Sequence, residues 1–254
     1  MKIAGIKYCR VPVLAIAQAR GAYLEALVPR FKIGGIKLQI PENALNDNIR
    51  AALNSGAYEY KEFFALQKNL RETDRVLELG GGAGYLGVFA AQTVGPENVA
   101  IVEASPIMAR TIEKNLQINE CDTARVLQGA VVGQAFKDET ITFEVSPGFW
   151  ASSIAGEKQK NKRSKLVEVP ALKFSDLQEA FDPTVVVMDI EGAELDIIED
   201  PWRDNVRLVI METHPDFYGI PKLSHVMRTM FDAGFHYMPW GSRGNVIVFE
   251  RETT

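Results

Sequence analysis

Arg75-Val76-Leu77-Glu78-Leu79-Gly80-Gly81-Gly82-Ala83-Gly84-Tyr85-Leu86-Gly87 decides the fold. Arg75–Leu79 is a short apolar run that reads as a buried strand, and the helix Tyr85–Thr93 follows the glycines. Glycines at such a junction permit a tight strand-to-helix turn and close approach of backbone to a ligand. Outward from there the alternation repeats: strand Asn98–Val102, then helix Ser105–Ile118 with Ser105 at the N-cap and Pro106 at N1. Strand Arg125–Gln128 is third. Helix Ser175–Phe181, strand Val185–Met188, helix Ala193–Ile198 and strand Val206–Met211 continue the series. Helix Leu223–Ala233 leads to a closing hairpin, Phe235–Trp240 with Asn245–Glu250 around Gly241–Gly244. Alternating strands and helices predict an α/β fold, a doubly wound Rossmann-like, seven-stranded and mainly parallel sheet with an antiparallel C-terminal hairpin. Only the section 133–173 breaks the pattern, with β-like Ile141–Val145, a Gly/Ser/Lys-rich loop and strand Leu166–Val169.

Upstream, Ile33–Ile40 reads as strand material broken at Gly34-Gly35. Pro41 and Asn43 open a helical stretch that Gly56 ends, and Tyr58–Leu70 is helical again. The expected division is a small α+β extension or cap over 1–70 and the main sheet-bearing domain over 71–254. The chain of 254 residues is 46% apolar and 24% charged, which excludes a disordered or collagen-like protein and leaves enough length for a large core. A net charge of −5 argues against a nucleic-acid partner. Cys9 and Cys121 have no metal-ligand spacing, so a reducing cytoplasm is the expected compartment. No run approaches the roughly 18 apolar residues of a membrane helix, and no membrane partner is expected. Lys2, Lys7 and Arg10 before Val11–Ala17, with Ala17-Gln18-Ala19, sketch a secretion signal. The run is short and contains Pro12, so strand Lys2–Tyr8 followed by a helix is the preferred reading.

Ligands of open parallel sheets bind beyond the carboxyl ends of the strands. Glu78 stands at the end of the first strand, and Glu103, nineteen residues after Gly84, ends the second. A carboxylate at Glu103 can accept hydrogen bonds from both ribose hydroxyls of an adenosine. Gly82-x-Gly84-x-x-Gly87 satisfies the dinucleotide fingerprint, so NAD(P) is one candidate. Glu78 with Gly80, Gly82 and Gly84 also fits an acidic-x-Gly-x-Gly-x-Gly pattern. Beside Glu78 a pyrophosphate is repelled, whereas an ammonium or sulfonium is attracted. S-adenosylmethionine carries both cations and no phosphate, and charge therefore favours it.

The fourth strand runs into Asp189-Ile190-Glu191-Gly192-Ala193-Glu194 and the next into Glu212-Thr213-His214-Pro215. Glu191 and Glu194 suit a helix N-terminus, where negative charge complements the dipole. Asp189 is different, since it should emerge beside the glycine turn where a reacting group would lie. His214 is either a turn residue before proline or a second reactive group beside Asp189. Ser146–Ser153 places Phe149 and Trp150 in a turn-rich loop, either a cover over an acceptor or a buried anchor. Lys158, Lys160, Lys162, Arg163 and Lys165 then read as a solvated loop, or as a lid for an anionic acceptor.

Together, Val76–Gly84, Val102-Glu103-Ala104, Asp189–Glu194 and Glu212-Thr213-His214, with Gly56-Ala57-Tyr58-Glu59 upstream, resemble the FkbM-type methyltransferases that use S-adenosylmethionine. The likeness covers about residues 50–250, and the Asp-x-Glu-Gly-x-Glu segment is its most specific piece. The resemblance implies that Glu78, Gly80 and Gly82 line the methionine part of the donor, that Glu103 with Ala104 holds the ribose, and that Gly129 and Ala130, ending the third strand, lie by the adenine. Tyr58 and Glu59 would close over the amino-acid end. Asp189, Glu191 and His214 would stand near the transferable methyl, with Trp150, Ser152, Ser153 and Glu212 on the acceptor side. The family more often has Asp at the position of Glu78 and Ala-Asn at Gly81-Gly82, a change of reach without a change of charge.

Known members mostly methylate hydroxyls of sugars or secondary metabolites, so a small hydroxylated acceptor is the expected partner. The reading leaves room for a homodimer. Asp189 and His214 are the candidate bases for such a hydroxyl. No metal is expected, although Asp189, Glu191 and Glu212 offer the hard oxygens that suit Mg2+. The alternatives are an aminopropyltransferase of the spermidine-synthase type, which shares the Gly-Gly-Gly-x-Gly turn, and a catalytically silent subunit that binds the same donor.

Overall fold

A computed structural model describes residues 28–145, 153–154, 165–191 and 193–252. The secretion pattern at 17–19, Trp150, Ser152 and most of the basic loop lie outside them. Seven strands form the central sheet: β3 (Val76–Leu79), β4 (Val99–Glu103), β5 (Arg125–Gln128), β10 (Val185–Met188), β11 (Leu208–Glu212), β12 (His236–Arg243) and β13 (Val246–Glu250). Their order is β12-β13-β11-β10-β3-β4-β5. β5, β4, β3, β10 and β11 are mutually parallel, while β13 pairs antiparallel with both β11 and β12. The doubly wound sheet and the closing hairpin are as the alternation predicts.

Pleating divides the strands between two apolar layers. Val76, Ile101, Val185 and Val187 face α2 (Tyr60–Asn69), α3 (Tyr85–Val94) and α4 (Pro106–Ile118). Leu77, Leu79, Val186 and Met188 face α5 (Phe174–Phe181), the single turn α6 (Glu194–Ile197) and α8 (Ile220–Asp232), which follows the short α7 (Pro215–Tyr218). The hairpin of β1 (Arg30–Ile33) and β2 (Ile36–Gln39), together with α1 (Asp47–Ser55), shares the first layer with the sheet. Asn115, fully buried on α4, ties the two together: its side chain accepts from the Gln39 amide at 2.7 Å and donates to the Ala83 carbonyl at 2.9 Å. A buried Arg207–Asp74 ion pair, into which Thr184 also donates at 2.9 Å, locks the amino-terminal edge of the sheet.

Several boundaries differ from the sequence reading for local reasons. Helix α1 begins at Asp47 rather than near Pro41, because Asn46 is the N-cap and accepts from the Ile49 amide at 2.9 Å. Ser105 caps α4 as predicted, accepting from the Met108 amide. The third strand ends at Gln128, so Gly129 and Ala130 do not terminate it. Ala130 instead starts β6 (Ala130–Val132), which leaves the main sheet for a smaller one. That sheet, β6-β9-β7-β8, also contains β7 (Thr140–Val145), β8 (Ser153–Ile154) and β9 (Lys165–Lys173). Its apolar face is Ala130, Phe143 and Val169.

Candidate active site

Register sets the site. Leu79 pairs with Val102 on one side and Met188 on the other, and Met188 pairs with Met211. The next residues along these parallel strands are therefore Glu103, Gly80, Asp189 and Glu212, side by side at one edge. Gly80 is at φ 87°, and a β-carbon there would lie 1.8 Å from the Asp189 carbonyl oxygen. No other residue fits without parting the strands. The amides of Gly80 and Gly81 both donate to the Val102 carbonyl, at 2.9 and 3.2 Å, which pins the turn to β4.

Beyond this edge opens a cleft of about 700 Å3, counting its solvent-open mouth. That is within the usual range for small-molecule sites. Its walls include Glu59, Gly80, Gly82, Glu103, Ala104, Gly129, Ala130, Asp189 and Glu191, all singled out from sequence. Val102, Met108, Val131, Phe143, Ile190 and Ala193 complete the lining. Phe143 comes from the smaller sheet, and no motif signals it. Tyr58, Glu78, Glu212 and His214 do not form the wall but lie behind or beside it.

Glu103 accepts from the Gly82 amide at 3.0 Å and from the Ser105 amide at 2.7 Å. Two backbone donors thus fix the carboxylate that an adenosine ribose would meet. Burial raises Glu103 to about 7, although those backbone bonds pull the other way. Glu78 is only 2% exposed and lies under the turn, against Gly87, rather than on the cleft wall. Its Oε2 and the Oε2 of Glu59 are shut from solvent and have no hydrogen-bond partner among the described residues. Burial, then the neighbouring charges, push both groups well above the usual carboxylate range. Glu59 stands at φ 47°, a left-handed conformation rare outside glycine, at the start of α2. The Tyr58 hydroxyl, fully buried beside it, accepts from the Ala83 amide at 3.2 Å. These orphaned carboxylate oxygens suit a cationic ligand.

At the other end of the row, His214 gathers four carboxylates. Its Nε2 lies 3.5 Å from Asp189 Oδ1, 3.7 Å from Glu191 Oε2 and 3.7 Å from Glu212 Oε2, while Nδ1 meets Glu194 Oε1 at 3.0 Å. Burial alone would lower this histidine, but the bond to Glu194 and the surrounding charges reverse the sign and raise it. Asp189 is raised well above its ordinary value by burial, then by Glu212 and Glu191. Glu62 on α2 is raised to about 6, again mainly by burial. Asn245 donates to Glu212 and accepts from Lys61, a chain the sequence does not announce. Asp189, Glu212 and His214 place potential ligand atoms within 4.8 Å of one another, a set that includes His214 where the sequence reading had Glu191. Of the expected acceptor-side residues, Ser153 is described only as backbone, in β8 opposite Glu144.

The model of the FkbM methyltransferase domain matches residues 81–237, more than half of the chain. The chain belongs to the FkbM methyltransferase family. Members use S-adenosylmethionine as methyl donor, and the site fits it: an orphaned carboxylate oxygen of Glu59 on the cleft wall for its cations, a backbone-oriented glutamate for its ribose, and glycines that leave room. The ribosomal protein L11 methyltransferase of Acetivibrio thermocellus is 28% identical over 82 residues, 32% of this chain. That match spans only 26%, about a quarter, of the relative's length. Among solved structures, a candidate transferase from Pyrococcus horikoshii superimposes with a TM-score of 0.50 at 12% identity, covering 88% of this chain and 70% of that one. It shares the fold. M. jannaschii TYW2, solved with AdoMet, gives 0.45 at 11% identity over 89% of this chain and 87% of that one. Among the described residues no helix is long and apolar enough to cross a membrane.

Proposed function

We propose that this FkbM-family methyltransferase methylates a hydroxyl oxygen of a small, sugar-like or secondary-metabolite acceptor in the cytoplasm. The observation that carries the reading is the pair Asp189 and His214, 3.5 Å apart beside the donor cleft, both raised above their ordinary values. A neutral hydroxyl must lose its proton as it attacks, and a positioned base contributes roughly 10²–10⁴ in rate. An acceptor that needs no deprotonation would leave this pair without a task.

S-adenosylmethionine supplies, when bound, a methyl already activated by its sulfonium and open to in-line displacement. Glu103, held by two backbone amides, would orient the ribose. Glu59 would neutralise the amino-acid end, with the charge of Glu78 beneath the turn, and Gly80 keeps the floor of the cleft at backbone height. Asp189 Oδ1, shut from solvent beside His214 Nε2, would receive the acceptor proton, with the imidazole balancing the carboxylates around it. Alignment by these rigid strand ends can supply up to about 7–11 kcal/mol of the barrier. The acidic rim also supports a neutral or cationic acceptor over a phosphorylated one or a nucleic acid. Asp189→Asn should bind S-adenosylmethionine as the wild type does in calorimetry, and turn over hydroxylated acceptors at least 100-fold more slowly. Wild-type turnover in that variant would remove Asp189, and with it this mechanism.

A further inference from the structure

We propose that Glu194 is a positioning residue for methyl transfer, holding the His214 ring so that Nδ1 carries the fixed proton and Nε2 faces the cleft carboxylates. The inference rests on the reading that Asp189 and His214 handle the acceptor proton, and deepens it.

A glutamate opening a helix is ordinarily explained by dipole complementarity, and that explanation fails here. Helix α6 has four residues, too short to develop much of a dipole, and Glu194 is fully buried rather than solvated at the helix start. Burying a carboxylate is costly unless it is hydrogen-bonded and paired. Its Oε1 faces His214 Nδ1 at 3.0 Å and lies 3.4 Å from the Ile190 amide, in the loop that presents Asp189. The carboxylate therefore touches both the histidine and the segment bearing the candidate base.

The surroundings of His214 leave few orientations. From the β10–α6 loop Asp189 and Glu191 face Nε2, from β11 Glu212 does, and Glu62 on α2 adds its charge. From α7, the Tyr218 hydroxyl accepts from the His214 amide at 2.8 Å, which anchors the backbone. Glu194 engages Nδ1 through Oε1 at 3.0 Å, and a carboxylate oxygen in that contact accepts. The proton must then sit on Nδ1 in the neutral ring, and Nε2 is left to exchange a proton toward Asp189. Mis-set tautomers cost histidine bases up to about 10⁴ in rate elsewhere.

The test uses the full chain. Long-range ¹H–¹⁵N spectra of the imidazole, assigned with His214→Gln and taken at alkaline pH where the ring is neutral, should show the proton on Nδ1. Glu194→Gln, whose amide can donate to Nδ1, should shift the neutral ring toward the Nε2-protonated form. The same variant should lower kcat about 100-fold while both KM values stay within about 3-fold, and Glu194→Asp should recover part of the loss. A wild-type ring protonated at Nε2, or Glu194→Gln with wild-type kcat, overturns the proposal. The spectra need no acceptor. A chain that has the Nδ1 proton yet methylates no hydroxyl would overturn the reading of the reaction while leaving the ring geometry established, and the role assigned to Glu194 in turnover would fall with it.

Discussion

Raising the pH from 5 to 8 should weaken the ligand-free protein. Glu103 and Glu62 are 8% and 7% exposed, and burial lifts them to about 7 and about 6 from an ordinary value of 4.5. A carboxyl whose folded pKa is raised binds its proton more tightly in the native state. Its contribution is complete below the unfolded value and disappears as pH rises through the folded one. Integrated between pH 5 and 8, those shifts amount to roughly 2.5 kcal/mol for Glu103 and roughly 1 kcal/mol for Glu62. Glu59, Glu78, Asp189 and His214 are all raised as well, so every resolved shift in the site has the same sign. For a domain of this size about 3–4 kcal/mol corresponds to a fall in Tm on the order of 10 °C.

Thermal unfolding followed by circular dichroism at pH 5 and at pH 8, without ligand, measures this directly. S-adenosylhomocysteine keeps the ammonium and ribose of the donor, and both prefer ionised carboxylates. Its stabilisation should therefore be larger at pH 8 than at pH 5 and flatten the profile. A ligand-free Tm that is level or rises over this window would refute the claim that the cleft holds uncompensated buried carboxylates.

Two other outcomes follow from the same geometry. Gly80→Ala asks an L-residue to hold φ 87° with its β-carbon 1.8 Å from the Asp189 carbonyl oxygen. The conformation costs about 1–2 kcal/mol before the strands part, so calorimetry should show donor affinity reduced at least about 100-fold, and affinity near wild type would contradict the packing. Turnover should survive EDTA; inhibition reversed by added Mg2+ would instead assign the acidic set around Asp189 to a cation.

The sheet was legible because its signals are local. Apolar runs of four or five residues, the Ser105-Pro106 start and the glycines of the first turn each act within a few positions. Register then carried Glu103 and Asp189 to the cleft without further information. What stayed hidden depends on partners far apart in the chain. Nothing near Lys61 or Asn245 indicates that they meet across 184 residues, or that Asn245 steadies Glu212. Asn115 reads as one more polar residue of an amphipathic helix until Gln39 and Ala83 are brought to it. Glu78 was expected on the wall because strand ends face ligands, but the pleat turns its side chain beneath the glycines. Glu194 was read as a helix-start residue because sequence cannot distinguish a solvated carboxylate from a buried one.

The same parallel register that builds the cleft also explains its acidity. Strands that end level with one another place their following residues in a row, and here three of the four in that row are carboxylates, with Gly80 between Glu103 and Asp189. Among nearby cationic groups Lys61 is engaged by Asn245 and His214 is shared by four acids. Repulsion along the row can be relieved by protonation, which the raised pKa values record, or by a ligand that brings positive charge. A sulfonium with an ammonium relieves it at the donor end, while the imidazole relieves it at the acceptor end. The two halves of the site are therefore coupled electrostatically through Asp189: a cationic donor nearby favours its ionised form, the form able to take up a proton from an incoming hydroxyl.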